Sequence, residues 1–270
     1  MFPRSVSVFI VFAAFSVANA APDCRNKEVC AVAGGEYRIR LPPDGDIRGA
    51  YVYFHGYKSS AKLQMQQTAL VDVTLAHHLA YVAVDGVDGV WSFPSGVSAL
   101  RDDQAFIGNV LDDLKKRYGF AEGNTVLGGF SLGASMAWYT ACLKGNKVAA
   151  TVTFSGVFWN PLPKPQDCRP EIPPMIHFHG TADRTFPLAG REIGPGLHQG
   201  NTYQSIEIMR ARARCKPDRI EKIKIRADSL DCEVVPDCIR GGITACIHNR
   251  GHEVPPEMLD AGLSAVGFPK

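Results

Sequence analysis

The stretch TVLGGFSLGASMA, residues 125–137, decides the fold. Its start, Thr125–Leu127, is apolar and rich in β-branched residues, which is typical of a buried strand. Small and apolar residues then follow in a helical pattern over 132–143. Between the two, the segment 129–133 matches G-x-S-x-G, in which a sharp turn lifts the serine above the sheet edge. The stretch predicts a strand–turn–helix unit with Ser131 as a nucleophile; an ordinary glycine-rich turn is the alternative.

Short apolar runs that end near glycine recur along the chain, and helical patterns separate them. The other runs are Ala50–Phe54, Ala80–Val84, Ala150–Phe154, Met175–Phe178 and Ile243–Ile247. The other helical patterns cover residues 61–79, 101–118, 202–214 and 257–266. This alternation predicts an α/β fold with a mostly parallel central sheet and helices on both faces. In such a sheet the ligand site lies at the carboxyl ends of the strands. A Pro-rich stretch over 157–174 interrupts the pattern and is interpreted as an insertion that borders this site.

Composition and charge exclude several classes of function. The chain has 270 residues, a net charge of +2 and 46% hydrophobic residues, as ordinary globular proteins do. Its basic residues are scattered, and the densest run, Arg210–Lys224, alternates with apolar positions. That pattern indicates a solvated helix face followed by a strand, and we therefore expect no nucleic-acid partner.

The first twenty residues have the pattern of a secretory signal. Arg4 is followed by the apolar run Val6–Val17 and then by Ala18-Asn19-Ala20, which fits a signal-peptidase site. The run is too short for a comfortable membrane span, and no other stretch approaches that length. We therefore predict a signal peptide over 1–20 and one secreted catalytic domain over 21–270, extracellular or periplasmic. An uncleaved anchor is the alternative.

Cysteine usage agrees with export. An even number, eight, follows the predicted signal, which suggests disulfides in an exported chain. Cys24 and Cys30 could close a local loop through a disulfide. Four more cysteines lie within residues 215–246, and disulfides among them are expected to cross-link that segment. Sequence alone cannot fix the pairing. No C-x-x-C pair is present, so we predict no metal site.

A serine nucleophile needs a neighbouring base and an acid. In this fold the order along the chain is Ser, then the acid, then His. His252 follows the last predicted strand, and Asp183 lies in the loop after the one before it. These two positions predict a catalytic triad of Ser131, Asp183 and His252. Glu253 is a weaker choice of acid because it is adjacent to His252, and a turn-capping role is the alternative for Asp183.

The other histidines have different settings. His177 lies within a predicted buried strand, where a structural role is expected, and His55 and His179 each precede a glycine at a strand end. The oxyanion of the tetrahedral intermediate needs two backbone N–H donors. We predict that Leu132, directly after the nucleophile, and Tyr57, in the His-Gly-Tyr segment after an early strand, supply them.

Taken together, the motifs resemble a known family. His-Gly at 55–56, Gly-Phe-Ser-Leu-Gly at 129–133, His-Gly-Thr-Ala-Asp at 179–183 and Gly-His-Glu-Val-Pro at 251–255 come in that order. The chain resembles the secreted α/β-hydrolase esterases grouped with polyhydroxybutyrate depolymerases and feruloyl esterases. The resemblance implies the α/β-hydrolase fold, the same triad and no cofactor. It also implies that Trp91 lines the substrate pocket, with core packing as the equal alternative.

The sequence therefore predicts a serine carboxylic ester hydrolase. The expected substrate is a feruloyl, or hydroxycinnamoyl, ester of plant cell-wall polysaccharide; a hydroxyalkanoate ester or oligomer is the close alternative. A serine peptidase would use the same triad. A secreted binding protein that has lost catalysis is the alternative of another class, since fold alone does not determine function.

Overall fold

The computed structural model describes residue 24 and residues 29–216, 218–225 and 230–270. The predicted signal peptide lies outside the described residues. Within them, strands form two sheets, and in chain order they are β1 (Cys30–Val32), β2 (Gly35–Arg40), β3 (Gly49–Phe54), β4 (Leu79–Val84), β5 (Thr125–Phe130), β6 (Ala150–Phe154), β7 (Trp159–Asn160), β8 (Met175–Gly180), β9 (Glu192–Gly194), β10 (Leu197–Gln199), β11 (Glu221–Ile225), β12 (Leu230–Val235) and β13 (Ile243–His248).

The α-helices are α1 (Ala61–Met65), α2 (Thr68–Ala76), α3 (Asp103–Tyr118), α4 (Leu132–Lys144), α5 (Thr202–Arg212) and α6 (Pro256–Ala265). Two short 3-10 helices cover Gly145–Lys147 and Pro165–Asp167. Each predicted helical pattern contains helix, although the segment 61–79 divides into α1 and α2 before β4 begins.

The large sheet has ten strands in the order β1-β2-β4-β3-β5-β6-β8-β13-β12-β11. The six central strands, from β4 to β13, are parallel to one another, and they are the six that the sequence predicts. At each end of the sheet two further strands pair antiparallel. The α/β-hydrolase fold is therefore confirmed, with a sheet that is mixed at both edges.

Helices cover both faces of this sheet. One hydrophobic core packs against α3, α4 and α5 and includes Phe106, Trp138 and Met209. The second core, on the other face, packs against α2 and α6 and includes Val71 and Leu259. The central strands lie between the two cores, and their side chains are buried on both faces, as continuous apolar runs require.

Four disulfides join all eight cysteines. Cys24–Cys30 and the two bridges Cys215–Cys238 and Cys232–Cys246 match the local loop and the cross-linked segment that the sequence suggests. Cys232–Cys246 links β12 to β13 across the antiparallel end of the sheet. The fourth bridge, Cys142–Cys168, ties α4 to the Pro-rich insertion.

One strand of the Pro-rich insertion, β7, joins a small second sheet. β7 pairs with β10, and β10 pairs with β9. The indole of Trp159 is buried and donates a 3.0 Å hydrogen bond to the hydroxyl of Ser135, one helical turn after Ser131. The insertion thus packs against the helix that follows the predicted nucleophile. Among the described residues, no helix combines the length and the apolar character needed to cross a bilayer.

Candidate active site

The turn at Ser131 has the strained geometry that its motif predicts. Ser131 has φ +57°, a conformation that is uncommon for a residue with a side chain. Its N–H donates to the carbonyl of Phe154 on β6 over 3.0 Å, which holds the turn against the sheet. A Cβ atom at Gly133 would overlap the carbonyl oxygen of Phe54, so the crossing of α4 over β3 requires glycine there. Packed backbone of β6 and β3 therefore supports the strained turn.

Asp183 and His252 are brought together by two neighbouring parallel strands. Asp183 follows β8 and His252 follows β13, and His248 is in register with Gly180. The Nδ1 atom of His252 lies 2.7 Å from Oδ2 of Asp183. A carboxylate accepts, so the Nδ1–H of His252 donates and its Nε2 is left free to act as a base.

The surroundings of Asp183 favour its ionised form. Its side chain is buried, and Oδ1 accepts hydrogen bonds from the backbone N–H of Thr185 (2.9 Å) and of Phe186 (2.8 Å). Burial alone raises the pKa of the Asp183 carboxyl. The hydrogen bonds from His252 and from the Phe186 amide outweigh that effect, and the pKa lies below its ordinary value of 3.8. The carboxylate therefore keeps its charge for the imidazole. Glu253, the weaker choice, points to Arg250 instead, at 3.9 Å.

His252 lies beside the turn that carries Ser131. The ring of Phe130, the residue before Ser131, contacts the His252 ring with their centroids 4.5 Å apart. Phe130 is in register with Phe154, and Phe154 with Phe178, so that these strands end at one level. The three residues of the predicted triad thus lie at the same edge of the sheet.

The segment after β3 has the position expected of an oxyanion loop. Gly56 packs on the nucleophile turn, and a Cβ added there would lie 3.6 Å from Cβ of Ser131. The side chain of Tyr57 is exposed, in agreement with a role that uses only its backbone. Leu132 is the first residue of α4, where an N–H group has no acceptor within the helix.

His55 controls the orientation of the Gly56–Tyr57 peptide. The N–H of Gly86 donates to Nε2 of His55 over 3.0 Å, so the ring proton is on Nδ1, which lies 2.8 Å from the carbonyl of Gly56. In a planar trans peptide the C=O and the N–H point in opposite directions. The Tyr57 N–H therefore points away from the His55 ring. Burial lowers the pKa of His55 and keeps the ring in this neutral form.

Trp91 packs against the loop after β3 that carries His55 and Gly56. Its side chain is fully buried, its Nε1–H donates to the carbonyl of His55 over 2.9 Å, and its ring packs edge-on against Phe54. A side chain with no accessible surface offers nothing to a substrate in this conformation. This burial agrees with the core-packing alternative, and a role for Trp91 in lining the pocket stays a prediction.

Two features of the site were not predicted from the sequence. Ser155, directly after β6, also has a positive φ, of +51°. The next residue, Gly156, lies so close to Ser131 that a Cβ there would overlap the Ser131 carbonyl oxygen. The Ser-Gly pair at a strand end was the only available signal. Within the described part of the chain, no group of three or more His, Cys, Asp or Glu side chains is placed to hold a metal ion.

The fold and this edge of the sheet define the class of protein: an α/β-hydrolase fold in which a strained Ser turn, an Asp–His pair and a His-Gly loop converge. Residues 100–213 match the model of the phospholipase/carboxylesterase family. No curated protein matches the chain.

Solved esterases share the architecture. The acetyl xylan esterase from Aspergillus awamori superimposes with a TM-score of 0.64 at 16% identity, over 86% of this chain and 94% of that one. Esterase PE8 superimposes with a TM-score of 0.55 at 20% identity, over 88% of this chain and 98% of that one. A phospholipase/carboxylesterase from Dyadobacter fermentans superimposes with a TM-score of 0.56 at 12% identity, over 88% of this chain and 99% of that one. At these identities the likeness is one of fold. The family match indicates a carboxylic ester hydrolase, and the narrower feruloyl-esterase grouping stays a prediction.

Proposed function

We propose that this chain is a secreted serine carboxylic ester hydrolase that acts through an acyl-enzyme, with Ser131 as nucleophile, His252 as base and Asp183 as the acid. The observation that carries the proposal is the 2.7 Å contact between His252 Nδ1 and Asp183 Oδ2, beside the strained Ser131 turn. A residue that only packs would not need the unfavourable φ of Ser131. Nor would it need the ionised carboxylate of Asp183 to be held against the imidazole of His252.

The proposed chemistry follows from these atoms. His252 Nε2 takes the proton of the Ser131 hydroxyl as its oxygen attacks the ester carbon. The N–H groups of Tyr57 and Leu132 then stabilise the oxyanion of the tetrahedral intermediate. The intermediate collapses, His252 returns the proton to the leaving alcohol, and the acyl group remains on Ser131. Water repeats the sequence and releases the acid. No metal or cofactor takes part in these steps.

The proposed substrate is a hydroxycinnamoyl ester of plant cell-wall polysaccharide. The motif resemblance supports the feruloyl group, and the fold shared with an acetyl xylan esterase is compatible with a cell-wall ester. A short hydroxyalkanoate ester is the second candidate, supported by the same motif resemblance. Methyl ferulate and a hydroxybutyrate dimer, compared as substrates of one preparation, distinguish the two.

The first test is hydrolysis of p-nitrophenyl acetate and butyrate by the purified protein and by Ser131→Ala. Loss of the nucleophile lowers kcat by about a million-fold in a well-studied serine hydrolase. We expect activity in the parent and none above background in the variant. Folded protein that hydrolyses neither ester would favour the binding-protein alternative, and cleavage of aryl amides without esters would favour a peptidase.

Export is proposed on two grounds. The pattern over residues 1–20 is that of a signal peptide, and four disulfides are typical of an oxidising compartment.

A further inference from the structure

Two histidines are buried side by side on β8, where an apolar side chain would ordinarily be found. His177 and His179 are two residues apart on one strand, so their side chains project from the same face. Both are almost completely inaccessible to solvent. His177 contacts Trp138 edge-on, with ring centroids 5.2 Å apart, and His179 packs against Phe186. Neither is a member of the proposed triad, and burying two imidazoles is costly unless their nitrogens are paired.

Every imidazole nitrogen of this pair has a hydrogen-bond partner, and the directions can be assigned from one end. Nε2 of His179 lies 2.7 Å from the carbonyl of Phe186, which can only accept, so the proton is on Nε2. Nδ1 of the neutral His179 ring is then an acceptor. It lies 3.0 Å from Nε2 of His177, which must donate.

The same reasoning continues into the core. With its proton on Nε2, His177 accepts at Nδ1 from the hydroxyl of Thr153 over 2.9 Å. That hydroxyl in turn accepts from the indole N–H of Trp138, a group that can only donate, over 3.2 Å. We call this series the imidazole chain: Trp138, Thr153, His177, His179 and the carbonyl of Phe186. Each donor in it points toward the loop that carries Asp183.

Neutral rings are needed for this pattern, and their environment provides them. Burial lowers the pKa of His177 well below its ordinary value of 6.5 and that of His179 to about 4. The titratable groups nearby are His248 and His252, which also lower the pKa of His179, and Asp183, which raises it. The second contact of His179 Nδ1, with the hydroxyl of Thr202 at 3.4 Å, is longer and leaves the assignment unchanged.

The imidazole chain ends at Phe186, the residue whose backbone N–H holds Asp183. The N–H of Phe186 donates to Asp183 Oδ1, while its C=O accepts from His179. Phe186 is thus fixed at both ends of its backbone. His179 Nε2 also lies 3.6 Å from Asp183 Oδ2, beyond hydrogen-bonding distance, so that oxygen is left to His252.

We infer that His179 is a positioning residue for the triad acid: through the carbonyl of Phe186 it fixes the turn 183–186, so that Asp183 Oδ2 faces His252. Thr153 and His177 act indirectly: their hydrogen bonds keep the proton of His179 on Nε2. The inference rests on the proposed function. It assigns His179 no contact with substrate.

The test compares three variants in p-nitrophenyl butyrate hydrolysis. His179→Phe keeps the ring volume and removes both nitrogens, and we expect kcat to fall by roughly ten- to hundredfold, as small misplacements of catalytic groups can produce. KM is expected to stay within about twofold, because substrate contacts are untouched. His179→Gln retains an N–H donor for the Phe186 carbonyl and is expected to recover part of kcat.

The matched control is His77→Phe. His77 is also buried and hydrogen-bonded at both nitrogens, to Asp260 and to the carbonyl of Phe268, but in the second core. Its loss is expected to lower stability and to leave kcat unchanged in folded protein. An independent readout is the ¹⁵N NMR spectrum of the histidines, which is expected to show His177 and His179 with the proton on Nε2 and no titration between pH 5 and 8.

The outcomes separate the two proposals. A parent protein without esterase activity overturns the proposed function and this inference with it, even where the spectra show the expected tautomers. An active parent whose His179→Phe variant keeps its kcat overturns only the inference. So does a kcat loss equal to that of His77→Phe, or a proton on Nδ1 of either histidine.

Discussion

Among single residues, Asp183 is held by hydrogen bonds at both oxygens of its carboxylate. One carboxylate oxygen accepts from two backbone amides and the other from His252. Asp183→Asn keeps the size and removes the charge, and the amide then favours the wrong imidazole tautomer. In a well-studied serine protease this change lowers kcat by about 10⁴-fold. We expect a loss of that order in p-nitrophenyl butyrate hydrolysis, and a variant within tenfold of the parent would remove Asp183 from the triad.

His55 gives a second prediction at this scale. Its Nδ1–H holds the carbonyl of Gly56 and thereby orients the N–H of Tyr57. His55→Phe should let that peptide rotate, and kcat should fall by tenfold or more; the upper limit is the roughly 100- to 1,000-fold that a whole oxyanion donor supplies. The measurement is kcat together with urea unfolding. An unchanged kcat in folded protein would mean that Tyr57 does not stabilise the oxyanion.

Among the elements, β8 carries two buried histidines that are expected to make stability depend on pH. Burial lowers the pKa of both His177 and His179, the latter to about 4, whereas the unfolded chain titrates near 6.5. Between these values the unfolded state binds protons that the folded state does not. The stabilising contribution is therefore complete above pH 6.5 and is lost as pH falls toward 4.

The expected result is a free energy of unfolding that decreases by about 1.4 kcal/mol per pH unit for each such group across that interval. Urea unfolding at several pH values between 7 and 4 measures it. His179→Gln, which cannot titrate, should show a shallower dependence than the parent. Equal slopes for the two proteins would contradict the assignment of a buried neutral imidazole at this position.

The elements also show what sequence could and could not predict. The six central strands were predictable because continuous apolar runs such as Leu79–Val84 are buried on both faces. The strand β2 was not, because GEYRIR mixes charges with apolar residues and lies near a sheet edge. The strand β11 was predicted, because the alternating run Arg210–Lys224 indicates a strand after a helix face. The small sheet of β7, β9 and β10 was missed for a different reason. Its two- and three-residue strands depend on pairing between distant segments, which no local pattern reveals.

The same division applies to the site. Ser131 is marked by a local motif, and chain order points to Asp183 and His252. The imidazole chain is different, because Thr153, His177 and Phe186 meet only through the pairing of β6 with β8 and the return of the 183–186 turn. Sequence reasoning placed His177 in the core, and it had no means of finding the partners of its two nitrogens. The burial of Trp91 likewise depends on tertiary packing around His55.

At the scale of the whole molecule, the disulfides connect the stability of the fold with the proposed export, because they form in an oxidising compartment. Two of the four disulfides lie in the antiparallel end of the sheet, where β11 is largely exposed and contributes little to either core. Covalent links compensate there for limited apolar burial, and each typically contributes about 2–4 kcal/mol. We therefore expect this end of the molecule to open first under reducing conditions.

The last prediction joins these observations in one preparation. Protein expressed with its own first twenty residues and recovered from outside the cytoplasm should begin at Ala21, because the segment 18–20 fits signal-peptidase cleavage. Its intact mass should be lower by eight hydrogens than the mass of the reduced chain, two for each of the four disulfides. Alkylation under denaturing conditions should then label no cysteine. Retention of residues 1–20 would favour the uncleaved anchor, and labelled thiols in active protein would show that the fold does not require its disulfides.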